Sequence, residues 1–183
     1  MTVRKLLATI ALTALTATVA LTGTAAADPF CGIRWGSLEK AAPPLLSAST
    51  VDEVRAGHHA CYDRLVIDLD GPATGYDVRY VDIVRQPGSG FEVPLRGSAR
   101  LQIVLGAAAY DTITADPTYD PADRTELVDV AGWDTFRQVA LAGSFEGTTD
   151  LGLGVRARLP FRVFTLDGPG DGSRVVIDVA HRW

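Results

Sequence analysis

Alternating apolar and polar positions dominate the chain after residue 50 and predict β-strands. Leu65, Ile67 and Leu69 share one side of a run that a Gly-Pro pair ends. Because residues two apart on a strand point to the same face, this spacing predicts a strand with one buried side. Similar alternation recurs in residues 100–106 and 173–181. The positions that we expect to face the core are Leu65, Ile67, Leu69, Leu101, Ile103, Leu105, Val155, Val175, Ile177 and Val179.

Other runs predict irregular strands and turns. The run that starts at Tyr76 changes its apolar side near Tyr80, which predicts a β-bulge there. Residues 153–167 have the pattern of one long strand, and the glycine-rich residues 168–172 join it to the last strand as a hairpin. Around Thr50 the sequence favours a helical turn or a short first strand.

Residues 107–134 form the longest stretch without a pattern, which is typical of a functional loop or a covering flap. The remaining runs are short, alternate, and are separated by Gly, Pro and Asp. This organisation predicts an all-β fold, namely a mainly antiparallel β-sandwich in a single domain.

The first residues have the pattern of a secretory signal peptide. Arg4 and Lys5 precede an uncharged apolar run, and three alanines end at Ala27. We expect residues 1–27 to be cleaved, so that the protein is secreted or associated with the cell wall and has no membrane segment. An irregular N-terminal arm over 28–49 and a β-domain over 50–183 then remain.

The charge balance argues against nucleic acid as a partner. The chain has 17 basic and 22 acidic side chains, and removal of Arg4 and Lys5 with the signal peptide leaves a net charge of −7. Nucleic-acid binders concentrate positive charge, whereas this acidity indicates a soluble protein.

Cys31 and Cys61 are the two cysteines of the chain. Outside the cell such a pair normally forms a disulfide, and closing a loop of this length stabilises a protein by roughly 3–4 kcal/mol on the chain-entropy model. The alternative is a cysteine nucleophile beside His58 or His59, which would require Cys31 to stay unpaired.

We find no pattern that singles out a catalytic residue, a metal site or a cofactor. Adjacent histidines on a strand point to opposite faces, so we expect His58 and His59 not to share an ion, and we interpret the histidines as structural or rim residues. Ser89 lacks the spacing of a nucleophile elbow and fits a turn. A hydrolase with unrecognised paired carboxylates stays open as an alternative.

Two groups of side chains are candidates for a binding surface. In an extended run, Arg156, Arg158 and Arg162 would line one face about 6–7 Å apart. They would bind an anionic polymer, or would pair with Asp68, Asp70 or Asp178 across the sheet. Aromatic side chains near irregular backbone would stack on sugar rings or cover an end of the sandwich. These aromatic residues are Trp35, Tyr110, Tyr119 and Trp133.

The order of several short motifs resembles the AMIN-like domain of secreted proteins from high-GC Gram-positive bacteria. The motifs begin at Trp35 ("WGSLEK"), Val54 ("VRAGHHACYDRLVIDL"), Gly143 ("GSFEGTTDLGLGVRARLPFRVF") and Ser173 ("SRVVIDVAH"). The positions that fit the arginine-glycine-histidine and tyrosine-aspartate-arginine pattern are Arg55, Gly57, His59, Tyr62, Asp63 and Arg64, and Gly75, Tyr76 and Tyr80 follow in order.

The resemblance implies a relation to AMIN domains, β-sandwich modules that help to localise envelope proteins such as cell-wall amidases and pilus secretins. Peptidoglycan is their proposed ligand, and no catalytic residue belongs to the pattern. We therefore expect a secreted, non-enzymatic module that binds peptidoglycan, an anionic wall polymer or another envelope protein. The alternatives are a secreted wall hydrolase and an interaction or inhibitor domain.

Overall fold

All regular secondary structure in the described residues is β-strand. The computed structural model describes residues 29–43 and 46–183, so the predicted signal peptide lies outside the described residues. In chain order the strands are β1 (Lys40–Ala42), β2 (Thr50–His58), β3 (Tyr62–Asp70), β4 (Tyr76–Val81), β5 (Val84–Arg85), β6 (Glu92–Val93), β7 (Ala99–Leu105), β8 (Phe136–Phe145), β9 (Thr148–Val155), β10 (Phe161–Asp167) and β11 (Ser173–Ala180). The pairs of neighbouring strands are antiparallel, as predicted.

Two sheets share one apolar core. The first has the order β1-β4-β7-β9-β8, the second has the order β10-β11-β3-β2, and β5 and β6 form a separate ribbon. The core joins Leu65 and Ile177 of the four-stranded sheet to Ile103 and Leu151 of the five-stranded sheet. The ten positions expected to face the core are all at most 3% exposed, which confirms the predicted β-sandwich.

The outer face of the five-stranded sheet is covered where β9 carries alternate glycines. A Cβ on Gly154 would overlap the main-chain carbonyl of Arg96, and one on Gly152 would lie 2.7 Å from Leu95. Only glycine therefore lets the segment around Leu95 lie directly on β9, where it packs with Val84 in a second small cluster. The four-stranded sheet carries no such layer in the described residues, and partly exposed arginine and aromatic side chains form its outer surface.

The structure corrects two of the predicted strands. A bulge near Tyr80 was the wrong interpretation, because β4 pairs regularly with β7 as far as Val81. The chain then bends at Asp82, and β5 restarts at the fully buried Val84. Of the two alternatives near Thr50, the strand is correct, because the nine-residue strand β2 begins there.

Residues 153–167 are not one strand. β9 belongs to the five-stranded sheet and β10 to the four-stranded sheet, so residues 156–160 have to cross between the two layers. Leu159 N donates to the carbonyl of Ala157 in this turn, and Pro160 has no N–H to continue a ladder.

The N-terminal arm is held at three points and is not wholly irregular. The strand β1 pairs with β4, and Phe161 N donates to the carbonyl of Gly36 at 2.8 Å. The predicted disulfide between Cys31 and Cys61 is present and ties the arm to the turn between β2 and β3. The arm thereby forms an edge of the five-stranded sheet through β1 and also contacts the four-stranded sheet at β10 and at the turn between β2 and β3.

Candidate binding face

The structure does not align Arg156, Arg158 and Arg162 along one face, because Arg156 and Arg158 lie in the crossing between the sheets and Arg162 lies on β10. In that crossing, Arg156 donates to the carbonyl of Asp134 at 2.9 Å and to the carbonyl of His181 at 2.6 Å. Its guanidinium therefore holds two chain segments together.

The other two arginines have different partners. Arg158, also in the crossing, lies with Cζ 4.7 Å from the ring centroid of Tyr80 and donates to the carbonyl of Ser37. Arg162 lies on β10 and pairs with Asp178, so only this arginine has one of the carboxylate partners that the sequence suggested.

The aromatic candidates contact three different parts of the chain. Trp133 stacks on the buried Phe136 with ring centroids 6.1 Å apart. Tyr119 packs against the main core, and the hydroxyl of Tyr110 accepts a hydrogen bond from Gly147 N at 3.2 Å. Their sugar-stacking role stays a prediction, whereas their partial burial fits the alternative of covering the sandwich.

A cluster of arginines and aromatic rings occupies the uncovered outer face of the four-stranded sheet. The register places Arg64 of β3 and Arg162 of β10 on either side of Asp178 of β11. We call this surface the arginine–aromatic face. Its residues are Trp35, Arg55, Tyr62, Arg64, Arg162, Phe164 and Arg174.

A buried carboxylate positions the two central guanidinium groups. Asp178 is fully buried, and its Oδ1 accepts from Arg64 Nε at 2.6 Å. Its Oδ2 accepts from Arg64 Nη2 at 2.9 Å and from Arg162 Nε at 2.8 Å. The hydrogen bond to Asp178 raises the pKa of Arg64 above its ordinary value. Both arginines are thus oriented, while their side chains remain 24% and 33% exposed.

Three aromatic rings surround these guanidinium groups. Arg162 Cζ lies 5.0 Å from the ring centroid of Phe164, 5.5 Å from that of Trp35 and 5.6 Å from that of Tyr62. Arg64 Cζ lies 5.2 Å from Tyr62. These distances are within the range of cation–π attraction, which adds to the orientation of the arginines. Trp35 comes from the N-terminal arm, so the arm contributes to this face.

Two further arginines extend the face along the same sheet. Arg55 on β2 forms a two-pronged pair with Asp68, at 2.6 and 2.9 Å. Arg174 on β11 donates to the carbonyl of Asp167, and its buried Nε has no hydrogen-bond partner in the described residues. A shallow depression between them is lined by Arg55, Ala56, Gly57, His59, Arg64, Val66, Leu166, Arg174 and Val176. Four arginines against the carboxylates of Asp68 and Asp178 leave this face with a net charge of +2 on an otherwise acidic protein.

Of this face, the sequence analysis named Arg162 and Trp35 as binding candidates. It included Arg55, Tyr62 and Arg64 only as positions of the family pattern. Arg64 and Asp178 have the sequence parity of the outward side of their strands, but strand alternation does not say which strands are neighbours. The pairing of β3 with β11 joins residues more than a hundred positions apart, and no short motif encodes it.

The structure agrees with the interpretation of the histidines as structural or rim residues. His59 is exposed, but His58 Nδ1 and His181 Nε2 both contact Oδ1 of the fully buried Asp63, at 2.7 and 3.0 Å. Burial alone would raise the pKa of Asp63. Hydrogen bonds from the main-chain N–H of Phe136, from both histidines and from Thr135 outweigh this effect and hold the pKa below its usual value.

A scan against known protein families matches residues 49–181 to the AMIN-like domain. The chain belongs to the AMIN-like domain family. No curated protein and no solved structure matches it. AMIN-like domains occur in cell-envelope proteins and are generally cell-wall-related binding modules rather than catalysts. Among the described residues of this AMIN-like domain, no helix is long and apolar enough to cross a membrane.

Proposed function

We propose that this AMIN-like domain is a secreted, non-enzymatic module that binds an anionic cell-wall polymer through the arginine–aromatic face. The observation that carries the proposal is the pair Arg64 and Arg162, which a buried carboxylate orients between three aromatic rings. The family supports the cell wall as the location of the ligand.

The central arginines have donors to offer a ligand. Each guanidinium carries five N–H groups, and Asp178 uses only those on Nε and Nη2. Within the described residues, the Nη1 groups of Arg64 and Arg162 have no protein partner. A ligand carboxylate or phosphate that accepts from them would gain charge-assisted hydrogen bonds without first having to order the arginines.

The aromatic rings beside the arginines are suited to contact the sugar rings of such a polymer. The apolar faces of sugar rings pack on flat aromatic side chains, and Phe164 lies 5.0 Å from Arg162 Cζ and Tyr62 5.2 Å from Arg64 Cζ. A glycan that bears carboxylate or phosphate groups would contact both kinds of side chain at once. Peptidoglycan and the anionic polymers attached to it have this chemistry.

Sedimentation with purified cell wall at two salt concentrations tests the proposal. Arg162→Ala removes one guanidinium but leaves Arg64 on Asp178, and Phe164→Ala removes one ring. The matched control is Arg124→Ala, because Arg124 is exposed in a loop beside β8 of the other sheet. We expect Arg162→Ala to weaken binding on the order of tenfold, which is the loss of about one charge-assisted hydrogen bond.

Salt should weaken the wild-type interaction, because exposed charges are screened over about 8–10 Å at physiological ionic strength. Equal binding by Arg162→Ala, Phe164→Ala and the control would overturn the role of the face. Release of soluble wall fragments would support a hydrolase instead. Loss of binding after protease treatment of the wall would support a protein partner.

A further inference from the structure

Two histidines and two aspartates from four chain segments meet at one end of the sandwich. His58 ends β2, Asp63 lies near the start of β3, and His181 directly follows β11. Asp134 lies two residues before β8, which is an edge strand of the five-stranded sheet. The cluster therefore lies where the four-stranded sheet meets an edge strand of the five-stranded sheet. The family match assigns no role to this cluster.

The ligand atoms of three of these residues converge on one point. Asp63 Oδ1 is 2.7 Å from His58 Nδ1 and 3.0 Å from His181 Nε2, and one ligand atom of each residue lies within 4.8 Å of the others. The imidazole rings are nearly parallel, with centroids 5.5 Å apart. We propose that His58, Asp63 and His181 form a binding site for a divalent transition-metal ion such as zinc.

Two of the three distances between ligand atoms fit an ion with little movement, and the third, between the two imidazole nitrogens, is at most 4.8 Å. Zinc binds imidazole nitrogen and carboxylate oxygen at about 2.0–2.2 Å, so two ligand atoms at a tetrahedral ion are about 3.3 Å apart. The two contacts of Asp63 Oδ1 would have to widen by only about 0.3–0.6 Å to reach this separation. Two neutral imidazoles with one carboxylate are ligands that zinc and ferrous iron accept.

Outer contacts lie next to each ligand, and those of Asp63 are hydrogen bonds. Asp63 Oδ2 accepts from the main-chain N–H of Thr135 at 2.7 Å and of Phe136 at 2.8 Å, which directs Oδ1 towards the histidines. Asp134 Oδ2 lies 3.4 Å from His58 Nε2 and 3.8 Å from His181 Nδ1, on the opposite edges of the two rings. Ring nitrogens that do not bind an ion commonly donate to such a carboxylate, which fixes the tautomer.

Contacts of Arg156 hold two segments of the site together, and the exposure of His58 leaves the site open to solvent. Arg156 binds the carbonyls of both Asp134 and His181 and so holds these two segments together. His58 is 44% exposed, and its ring lies 5.6 Å from that of Trp133. An ion can therefore enter from solvent, water can complete its coordination, and the tryptophan lies close enough to report binding.

Titration of the purified protein with Zn²⁺ in competition with a chromophoric chelator tests the site. The protein should carry no histidine tag. We expect one ion per chain, and we expect His58→Gln and His181→Gln each to weaken binding by more than about 100-fold, since loss of an outer partner alone costs about 10–100-fold. Asp134→Asn, which changes an outer partner, should lose about 10–100-fold. His59→Gln is the matched control and should bind as the wild type does, because His59 lies outside the cluster.

Two further measurements keep the result independent of folding defects. His58 is half exposed, so His58→Gln should retain the β-sheet circular dichroism of the wild type. Zn²⁺ should raise the melting temperature of the wild type and of His59→Gln but not that of His58→Gln. Co²⁺ bound to the wild type should show the visible absorption of a low-coordinate site. If the wild type binds Zn²⁺ no more tightly than His58→Gln, or if His59→Gln loses as much, the cluster is a hydrogen-bonded network and the proposal is wrong.

Discussion

Replacement of Asp178 by Asn should destabilise the sandwich more than removal of either arginine that binds it. The Asp178 side chain is fully buried, and three hydrogen bonds from Arg64 and Arg162 end on its two oxygens. The amide keeps the shape, but it loses the charge and directs an NH₂ group at two guanidinium donors. Arg162→Ala, in contrast, leaves both oxygens of Asp178 bonded to Arg64.

The expected magnitude follows from the burial of the three partners. Removal of one partner of a fully buried ion pair costs about 3–5 kcal/mol. Arg64 and Arg162 are 24% and 33% exposed, so water reaches both guanidinium groups and reduces the cost. We therefore expect Asp178→Asn to lower the free energy of unfolding by about 2–3 kcal/mol. Arg162→Ala should lower it by about 0.5–1.5 kcal/mol, the net value of a typical hydrogen bond.

Urea unfolding of both variants and the wild type measures these differences. With a slope of about 2 kcal/mol per molar urea, Asp178→Asn should shift the midpoint by about 1 M or more. A shift within error of zero would show that Asp178 does not hold the arginines in solution. Equal costs for Asp178→Asn and Arg162→Ala would contradict the inference that Arg64 alone satisfies the carboxylate.

Two other predictions concern the core and the crossing between the sheets. Ile177→Ala should lower the free energy of unfolding by about 2–5 kcal/mol, because Ile177 is fully buried. Leu166→Ala, at an exposed position of β10, should have little effect. Similar costs for both variants would contradict the assigned strand faces. Burial raises the pKa of Tyr80 to about 12, although the hydrogen bond that its phenol oxygen accepts from the main-chain N–H of Leu159 opposes this shift. The folded pKa lies above the ordinary 10.0, so the stability that the neutral phenol contributes is complete below pH 10 and is lost as the pH rises through about 12. The difference in phenolate absorbance between the wild type and Tyr80→Phe should titrate near pH 12, and a midpoint near pH 10 would contradict the burial.

The strands and their buried sides could be predicted because alternation is a local signal. Leu65, Ile67 and Ile177 each lie in a run whose apolar side is evident from the sequence, and all three are fully buried. The pattern of Gly152 and Gly154 is equally local. The sequence does not show that the segment around Leu95 lies on these two glycines, because alternate glycines do not reveal which segment packs on them.

The crossing and the binding face could not be predicted, because both depend on which strands are neighbours. Arg156 and Arg162 have the same parity in the sequence, yet β9 and β10 belong to different sheets. For the same reason His58 was compared only with its neighbour His59, while its partner in space, His181, lies at the far end of the chain. Sequence-distant pairing decides both sites, and local patterns contain no information about it.

The antiparallel pairing of β3 with β11 also has a consequence for folding kinetics. Arg64 and Asp178 are 114 residues apart, so the chain must close a very large loop before the centre of the four-stranded sheet can form. Closure of such loops is entropically unfavourable, and proteins dominated by distant contacts fold in milliseconds to seconds rather than in microseconds. Any partly folded chain that lacks this pairing also lacks Arg64 and Arg162 side by side. Binding through the arginine–aromatic face would thus begin only after β3 has paired with β11, and its time course would report that pairing.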